Sequence, residues 1–416
     1  MKFFRCFLLY LLFLPLGQAS TSIEFWHSFS GSLGVELNHL VDDFNQSQNR
    51  YQVKLVYKGE YTESFTSFVA AFRAKKAPAL IQVFEAGTNS MLHPKGVIKP
   101  FYQIMIGQPF PIESVLSAVA QLYSQDGQLN AMPFNISIPV IFYNQDVLDS
   151  LKVKEFPKTW DEMENLAAQL KANGYSCAYT SSYPAWIHIE SFSRIHGYAL
   201  VNDKKTKAAF NNKAILSHLE RLKRWQNKHY FEYGGRASEA TVLFTSGHCP
   251  IFSQSSGSYQ SLKKLASFKL GVALMPLDTS ISANRYSNLP GGAAIWAVAG
   301  QNAEIYKGIA AFFSFLANKS TQASWHLKTG YIPLGLDGYY GDIDKQSYLL
   351  KLAQKDLNNK LNPYPASFPA QHQVRSIIDE AMEAIFAGIK TPINALNEAE
   401  IKANFKIKRF IQNNQI

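Results

Sequence analysis

The chain has no short motif that signals catalysis or metal binding. It contains no His-Glu-x-x-His, no Cys-x-x-Cys, no Gly-x-Ser-x-Gly and no Walker phosphate loop. Its ten histidines are scattered, and His188 and His196, which share a segment, lack the spacing of a metal pair. We therefore predict no enzymatic activity, no metal site and no cofactor. One alternative stays open: a secreted glycosidase or phosphodiesterase that uses carboxylates such as Glu85 and Glu190.

Cysteine and charge are both scarce. Three of 416 residues are cysteine, and 17% are charged against 47% hydrophobic, as in an ordinary globular protein with a large core. The formal net charge is +10, but the basic residues are spread along the chain. This spread slightly favours a small anionic ligand and argues against nucleic acid. Whether Cys177 and Cys249 form a disulfide stays open, because both also suit core positions of short strands.

One strongly apolar run stands at the amino terminus. Lys2 and Arg5 give it a positive start, the run Cys6–Leu16 is short for a bilayer span, and Gly17-Gln18-Ala19 supplies small residues for cleavage. We predict a signal peptide over residues 1–19 and export of the mature chain.

Short strands alternate with amphipathic helices through the first part of the mature chain. Strand patterns at Ile23–Trp26, Tyr51–Tyr57 and Ala79–Phe84 are separated by helical patterns, such as the apolar spacing over Leu33–Phe44. This order predicts a largely parallel sheet covered by helices, with ligands at the carboxyl ends of its strands. After the capping box Thr159-Trp160-Asp161-Glu162, the alternation resumes and predicts a second α/β unit.

Several segments occur in an order and at intervals that resemble a known family. They are Phe25-Trp26-His27-Ser28, Tyr57-Lys58-Gly59-Glu60-Tyr61, the capping box with Trp160, Gly291-Gly292 before Trp296, and Trp325-His326-Leu327-Lys328-Thr329-Gly330-Tyr331. The chain resembles the extracellular solute-binding proteins of ABC importers, in the branch that takes carbohydrates. Within that branch it is similar to the members that bind sn-glycerol 3-phosphate, over essentially the whole mature chain. This resemblance implies that the exported protein is located in the periplasm.

The resemblance implies an α/β, two-lobe periplasmic-binding-protein fold of type II, like that of maltose-binding protein. The ligand would lie in the cleft between the lobes, which close by a hinge motion. The implied lobes are 20–133 plus 294–332, and 134–293 plus 333–416. Three crossings join them, near Pro133–Pro139, Gly292–Trp296 and Tyr331–Leu336.

The resemblance also implies a set of ligand-binding residues. The positions that match the family are Tyr61, Glu85, Ser137, Ser255, Gly292, Tyr331 and Arg375. Trp186 is added, with Tyr183, as an aromatic wall against the glycerol carbons. In a phosphodiester, the same wall would suit a choline group.

The chemistry of these residue types suits a phosphorylated polyol. Arg375 offers a planar fork of donors, and the segment that begins at Ser255 opens a helix whose N–H groups suit an anion. Gly292 allows a close backbone approach. Since a carboxylate beside a phosphate would repel it, we place Glu85 at the glycerol end of the ligand, where hydroxyl groups donate to it.

The expected function is capture of sn-glycerol 3-phosphate, or of glycerophosphodiesters, without a chemical step. A monomeric receptor would deliver the ligand to a membrane permease driven by a cytoplasmic ATPase. The main alternative is a protein of the same fold that binds a neutral oligosaccharide, because such sites rely on aromatic platforms and carboxylates rather than a buried cation. A secreted scaffold protein without small-ligand affinity is a third class.

Overall fold

The computed structural model describes residues 20–111, 115–335 and 347–415. The predicted signal peptide and the end of the third predicted crossing, at position 336, lie outside these residues. The strands are β1 Thr21–His27, β2 Tyr51–Tyr57, β3 Leu80–Phe84, β4 Ser124–Gln125, β5 Gln128–Leu129, β6 Met132–Pro133, β7 Pro139–Asn144, β8 Tyr179–Ser181, β9 Phe231–Tyr233, β10 Ile251–Ser255, β11 Leu270–Leu274 and β12 Ala293–Ala297.

The helices of the described residues alternate with these strands. They are α1 Gly31–Ser47, α2 Tyr61–Arg73, α3 Thr88–Leu92, α4 Phe101–Ile104, α5 Ser117–Tyr123, α6 Gln145–Ser150, α7 Trp160–Ala172, α8 Phe192–Ile195, α9 Lys213–Asn227, α10 Thr241–Thr245, α11 Tyr259–Leu265, α12 Ala303–Ala317, α13 Lys319–Thr329, α14 Tyr348–Leu357, α15 Gln371–Phe386 and α16 Pro392–Asn414. Short 3₁₀ turns cover Glu85–Gly87 and Ser256–Ser258, and a π-helix covers Ala185–Ser191. No described helix is both long and apolar enough to cross a membrane.

The first sheet has the strand order β2-β1-β3-β12-β6. Its first three strands run parallel, as the alternating pattern predicts, whereas β12 pairs antiparallel with both β3 and β6. In β1, Ile23 and Phe25 are buried and Glu24 is exposed, so the period-2 pattern sets which face meets the helices. All five residues of β12 are buried, which fits the apolar run that follows the glycine pair.

The second sheet has the strand order β11-β7-β10-β8-β9. Strand β7 lies antiparallel to β10 and β11, while β8 lies parallel to β10 and β9. The predicted capping box is confirmed at the start of α7: the Thr159 side chain accepts from the Glu162 N–H, and Glu162 Oε2 accepts from the Thr159 N–H at 3.0 Å. Cys177 and Cys249 form a disulfide beside this sheet.

The chain passes between the sheets in three neighbouring segments. One leads from β6 to β7, the second leads into β12, and the third, which contains Ile332, follows α13. Ser137 and Gly291 exchange two backbone hydrogen bonds, at 3.1 and 2.7 Å, and the Ile332 N–H donates to the Ile136 carbonyl at 2.7 Å. These bonds join the three predicted crossings side by side. The lobe boundaries proposed from the sequence stay a prediction.

A buried polar chain runs through the second unit. His188 Nδ1 lies 3.1 Å from His218 Nε2, and Arg221 pairs with Asp278 at 2.5 Å. His196 Nε2 accepts from the Asp278 N–H at 2.7 Å, and its Nδ1 lies 2.7 Å from the Phe192 carbonyl. Burial lowers the pKa of His196 to about 4 and that of His188 to about 3, so these imidazoles are neutral in the folded protein.

Candidate functional site

A cleft with a cavity of about 240 Å³ lies between the two sheets. The first sheet and its helices contribute lining residues at strand and helix ends, as predicted for the carboxyl edge of an α/β sheet. The elements of the second sheet supply the opposite wall. All eight residues predicted from the sequence line this cavity: Tyr61, Glu85, Ser137, Trp186, Ser255, Gly292, Tyr331 and Arg375.

Arg375 is a largely buried cation of the cleft. It projects from α15, and its side chain is 15% exposed. Its Nε donates to Glu190 Oε1 at 2.6 Å, and Nη2 donates to Glu190 Oε2 at 2.7 Å and to Glu85 Oε1 at 2.5 Å. Burial alone would lower the pKa of Arg375, but the two carboxylates raise it above its ordinary value. The guanidinium is therefore charged, and none of these three bonds uses its Nη1.

Glu85 contacts Arg375 directly, with its Oε1 2.5 Å from the guanidinium Nη2. Glu85 is 3% exposed, and a buried carboxylate needs a charged partner nearby. The placement of Glu85 at the glycerol end of the ligand stays a prediction.

Glu190 is the functional candidate that the sequence analysis did not assign to this site. It lies on the π-helix Ala185–Ser191, is 1% exposed, and forms a bidentate pair with Arg375. Gln371 Nε2 also donates to it at 3.1 Å. The signal for Glu190 in the sequence is a single acid directly after a segment with two isoleucines, Ile187 and Ile189. Such a segment is expected to be buried, and a fully buried glutamate requires a cation as its partner.

Two tyrosine hydroxyl groups stand in the cleft near the cation. Tyr61 stacks on Phe84 with ring centres 5.5 Å apart, and its hydroxyl accepts from Asn135 Nδ2 at 2.9 Å. The Tyr331 ring stacks on Phe29 at 5.8 Å. Burial raises the pKa of both tyrosines, so both remain neutral hydrogen-bond donors.

The comparisons with known proteins identify the family of this chain. Residues 39–343 match the family model of bacterial extracellular solute-binding proteins. The chain belongs to this family. It is 37% identical to the sn-glycerol-3-phosphate-binding periplasmic protein UgpB of Yersinia enterocolitica, over 99% of this chain and 98% of that protein. It is 35% identical to the UgpB protein of Pectobacterium atrosepticum, over 95% and 93% of the two chains.

Solved structures confirm the predicted two-lobe, maltose-binding-protein-like fold of this solute-binding protein. The GacH receptor of Streptomyces glaucescens superimposes with a TM-score of 0.80 at 18% identity, over 94% of this chain and 99% of that one. UgpB from Mycobacterium tuberculosis, solved in complex with glycerophosphocholine, gives a TM-score of 0.78 at 17% identity, over 94% and 100% of the chains. At these identities the similarity carries the fold alone.

Glycine shapes the floor of the cleft in this solute-binding protein. Gly292 has a φ of +95°, and a Cβ there would stand 1.8 Å from the Asn135 carbonyl oxygen. A Cβ on Gly291 would meet the Trp186 ring at 2.2 Å, and one on Gly257 would meet the Tyr331 ring at the same distance. Side chains at these positions would displace the rings and the backbone that form the cavity wall.

The segment after Ser255 differs from the prediction of an open helix start. The Ser256 N–H donates to the Ile138 carbonyl at 2.9 Å, and the Gly257 N–H donates to Ser255 Oγ at 3.2 Å. The expectation that these N–H groups are available to an anion is therefore wrong for these two residues. The reason is that the segment turns in 3₁₀ form before α11 and pairs with the crossing that precedes β7. The Ser255 hydroxyl still lines the cleft.

Trp186 forms part of the cleft wall together with Tyr183, as predicted. Trp186 is 5% exposed, and its buried Nε1 has no hydrogen-bond partner among the described residues. Tyr183 has a φ of +45°, which is unusual for a residue with a side chain. Burial raises the pKa of Tyr183 to about 12. The wall thus offers two neutral hydrogen-bond donors, the Trp186 Nε1–H and the Tyr183 hydroxyl, on rings whose remaining surface is apolar.

Three charged residues of the cleft lie outside the predicted set: Glu60, Arg236 and Asp379. Arg236 forms a bidentate pair with Glu383, with Nε–Oε1 at 2.9 Å and Nη2–Oε2 at 2.6 Å. Asp379 follows Arg375 by one helical turn on α15 and also lines the cavity. Its Oδ1 is buried and has no hydrogen-bond partner among the described residues.

Proposed function

We propose that this solute-binding protein captures sn-glycerol 3-phosphate in the periplasm and delivers it, chemically unchanged, to an ABC importer permease with a cytoplasmic ATPase. The observation that carries the proposal is the largely buried guanidinium of Arg375 in a cleft between two lobes. The UgpB proteins, which are named for this ligand, support it at 35–37% identity over nearly their full length. We also propose that the chain is exported after cleavage following Ala19 and works as a monomer.

Charge balance suggests how the ligand would bind. Glu190 holds Arg375 from within the same unit, whereas Glu85 reaches it from the other unit. A phosphate oxygen would approach Nη1 and compete with Glu85 for the guanidinium. Glu85 would then accept hydrogen bonds from the glycerol hydroxyl groups. The Tyr61 and Tyr331 hydroxyl groups and the side chains of the two predicted serines would complete the donor set for the phosphate.

The size of the cavity supports a small ligand. About 240 Å³ equals the volume of on the order of eight water molecules in the liquid. Pockets for drug-sized ligands are larger, at roughly 300–1,000 Å³. A three-carbon phosphate ester suits this space.

Calorimetry on the mature protein tests the proposal. We expect sn-glycerol 3-phosphate to bind, glycerol and maltose to bind at least a hundredfold more weakly, and the ligand to be recovered intact. Tight binding of maltose with none of the phosphate ester would favour the neutral oligosaccharide instead. Release of glycerol or choline from a glycerophosphodiester by the purified protein would establish an enzyme.

A further inference from the structure

Asp379 is a carboxylate of the cleft that the proposed ligand contacts leave without a role. It lines the same cavity as Arg375. Its Oδ1 is buried and lacks a hydrogen-bond partner among the described residues. A buried carboxylate with an unpartnered oxygen is unfavourable in its ionised form, and Asp379 lies where a bound ligand can change its partners.

Charged groups on several elements act on Asp379. Arg375 and Glu383 lie on its own helix, Glu190 faces it from the π-helix, Arg236 from the loop after β9, and Tyr233 from β9 itself. Two arginines therefore oppose two glutamates. Both arginines already form bidentate pairs with those glutamates, so neither is fully available to balance a third carboxylate.

These surroundings favour a proton on Asp379. Burial is the largest effect and raises the pKa of Asp379 to about 7, with Arg375 and Arg236 opposing and Glu190 and Glu383 adding to the rise. An ionised Asp379 would repel a phosphate dianion in the same cavity. A protonated Asp379 would instead offer an O–H donor to a phosphate oxygen.

We propose that Asp379 binds the ligand phosphate as a neutral carboxylic acid, donating its proton to a phosphate oxygen, so that capture of the dianion takes up one proton from solvent. This inference rests on the proposed function. It makes Asp379 a specificity residue, because the acid would favour a phosphate over a neutral sugar and over a cationic ligand. The expected consequence is capture that weakens as the pH rises above 7.

The test measures proton uptake by calorimetry with sn-glycerol 3-phosphate at pH 8 in two buffers that differ in ionisation enthalpy. Wild-type protein is expected to take up close to one proton per ligand, and Asp379→Asn, a neutral isostere, close to none. The ratio of the wild-type Kd to the Asp379→Asn Kd should rise by about tenfold between pH 6 and pH 8. The reason is that pH 8 lies one unit above a pKa of about 7, so only about a tenth of the free wild-type protein still carries the proton on Asp379. The titration of the ligand itself, near pH 6, cancels in this ratio.

Glu380→Gln is the matched control, because Glu380 is the next residue on α15 and is exposed. It should behave as the wild type. Equal proton uptake by the wild type and Asp379→Asn, with a ratio of Kd values that does not change with pH, would overturn the inference and leave the proposed function intact. Absence of any binding by the wild type would instead overturn the proposed function.

A second measurement does not depend on a variant that folds. Carbon-13 NMR of the Asp379 carboxyl in the wild type should show its titration moving above pH 8 when the ligand saturates the protein. A titration that stays in place or moves downward on binding would contradict the proposed proton donation.

Discussion

Arg375 donates a hydrogen bond to Glu85 across the cleft, with Nη2 and Oε1 2.5 Å apart. Arg375 stands on α15, which contacts both the turn Glu85–Gly87 and the π-helix Ala185–Ser191, and Glu85 follows the third strand of the first sheet. With α15 in the predicted second lobe, this ion pair spans the two lobes. Because a ligand anion would compete with Glu85 for the same guanidinium, the pair links ligand binding to the relative position of the lobes.

Replacing the guanidinium tests the central contact. Arg375→Ala should weaken sn-glycerol 3-phosphate binding by about 2–5 kcal/mol, the cost of truncating one member of a buried charged pair. Calorimetry measures the change, and circular dichroism checks the fold, because Glu85 and Glu190 would lose their partner. Arg375→Lys is the control, because lysine keeps the charge but lacks the planar fork of donors. Its affinity for the ligand should fall between those of the wild type and Arg375→Ala. A loss under tenfold for the alanine variant would contradict the role of Arg375.

Removing the charge of Glu85 tests its relation to Arg375. In Glu85→Gln the guanidinium has one less competitor, so inorganic phosphate should bind as well as to the wild type or better. Recognition of the glycerol hydroxyl groups should weaken, because an amide replaces a charged acceptor. Competition assays with phosphate, glycerol and the ester separate these effects. Equal losses for phosphate and for the ester would refute this division.

Gly292 tests the shape of the cleft floor. Gly292→Ala would place a methyl carbon 1.8 Å from the Asn135 carbonyl oxygen, so the backbone must shift. We expect a lower melting temperature and a loss of ligand binding. Gly300→Ala is a matched control, since Gly300 also has a positive φ, +86°, but has no neighbouring atom within 4 Å. Similar effects of both substitutions would assign the cost to the backbone angle rather than to the clash.

Acid should destabilise the protein through its buried histidines. His196 has Nδ1 against the Phe192 carbonyl and Nε2 against the Asp278 N–H, so the neutral tautomer with Nδ1–H satisfies both bonds. A second proton, on Nε2, would place an imidazolium N–H against the Asp278 N–H, and two donors cannot form a hydrogen bond. Its pKa in the folded protein is about 4, whereas the unfolded chain has the ordinary value of 6.5. The unfolded state therefore binds more protons between these values, and stability falls as the pH drops from about 6.5 towards 4.

Chemical denaturation across that pH range measures this effect. The difference in pKa corresponds to up to about 3 kcal/mol for His196. His196→Gln should have a shallower pH dependence, and the exposed His39→Gln should have the wild-type one. An unchanged slope in His196→Gln would show that this histidine does not govern acid sensitivity.

Local sequence patterns predicted much of the fold. The period-2 strands, the capping box of α7 and the apolar helix faces depend on neighbouring residues, and the structure confirms them. The parallel arrangement was correct for β1, β2 and β3. The antiparallel entry of β12 into the same sheet joins residues over two hundred positions apart, which no local pattern encodes.

The candidate site was likewise predictable only in part from the sequence. Short motifs that resemble a family led to eight residues, and the structure brings all eight to one cavity. Their roles in binding stay a prediction. Glu190 was missed as a partner of Arg375, and Asp379 was not considered. Both lack a motif of their own and matter only because of what surrounds them after folding.

The sequence by itself determined the family of this protein, its alternating strands and helices, and the residue types that suit an anionic ligand. Only the tertiary structure decided how the charges combine. Arg375 meets Glu190 across 185 positions and Glu85 across 290. The physical reason is that the energy of a charge depends on burial and on distance to other charges, and both are set when the two units pack around the cleft.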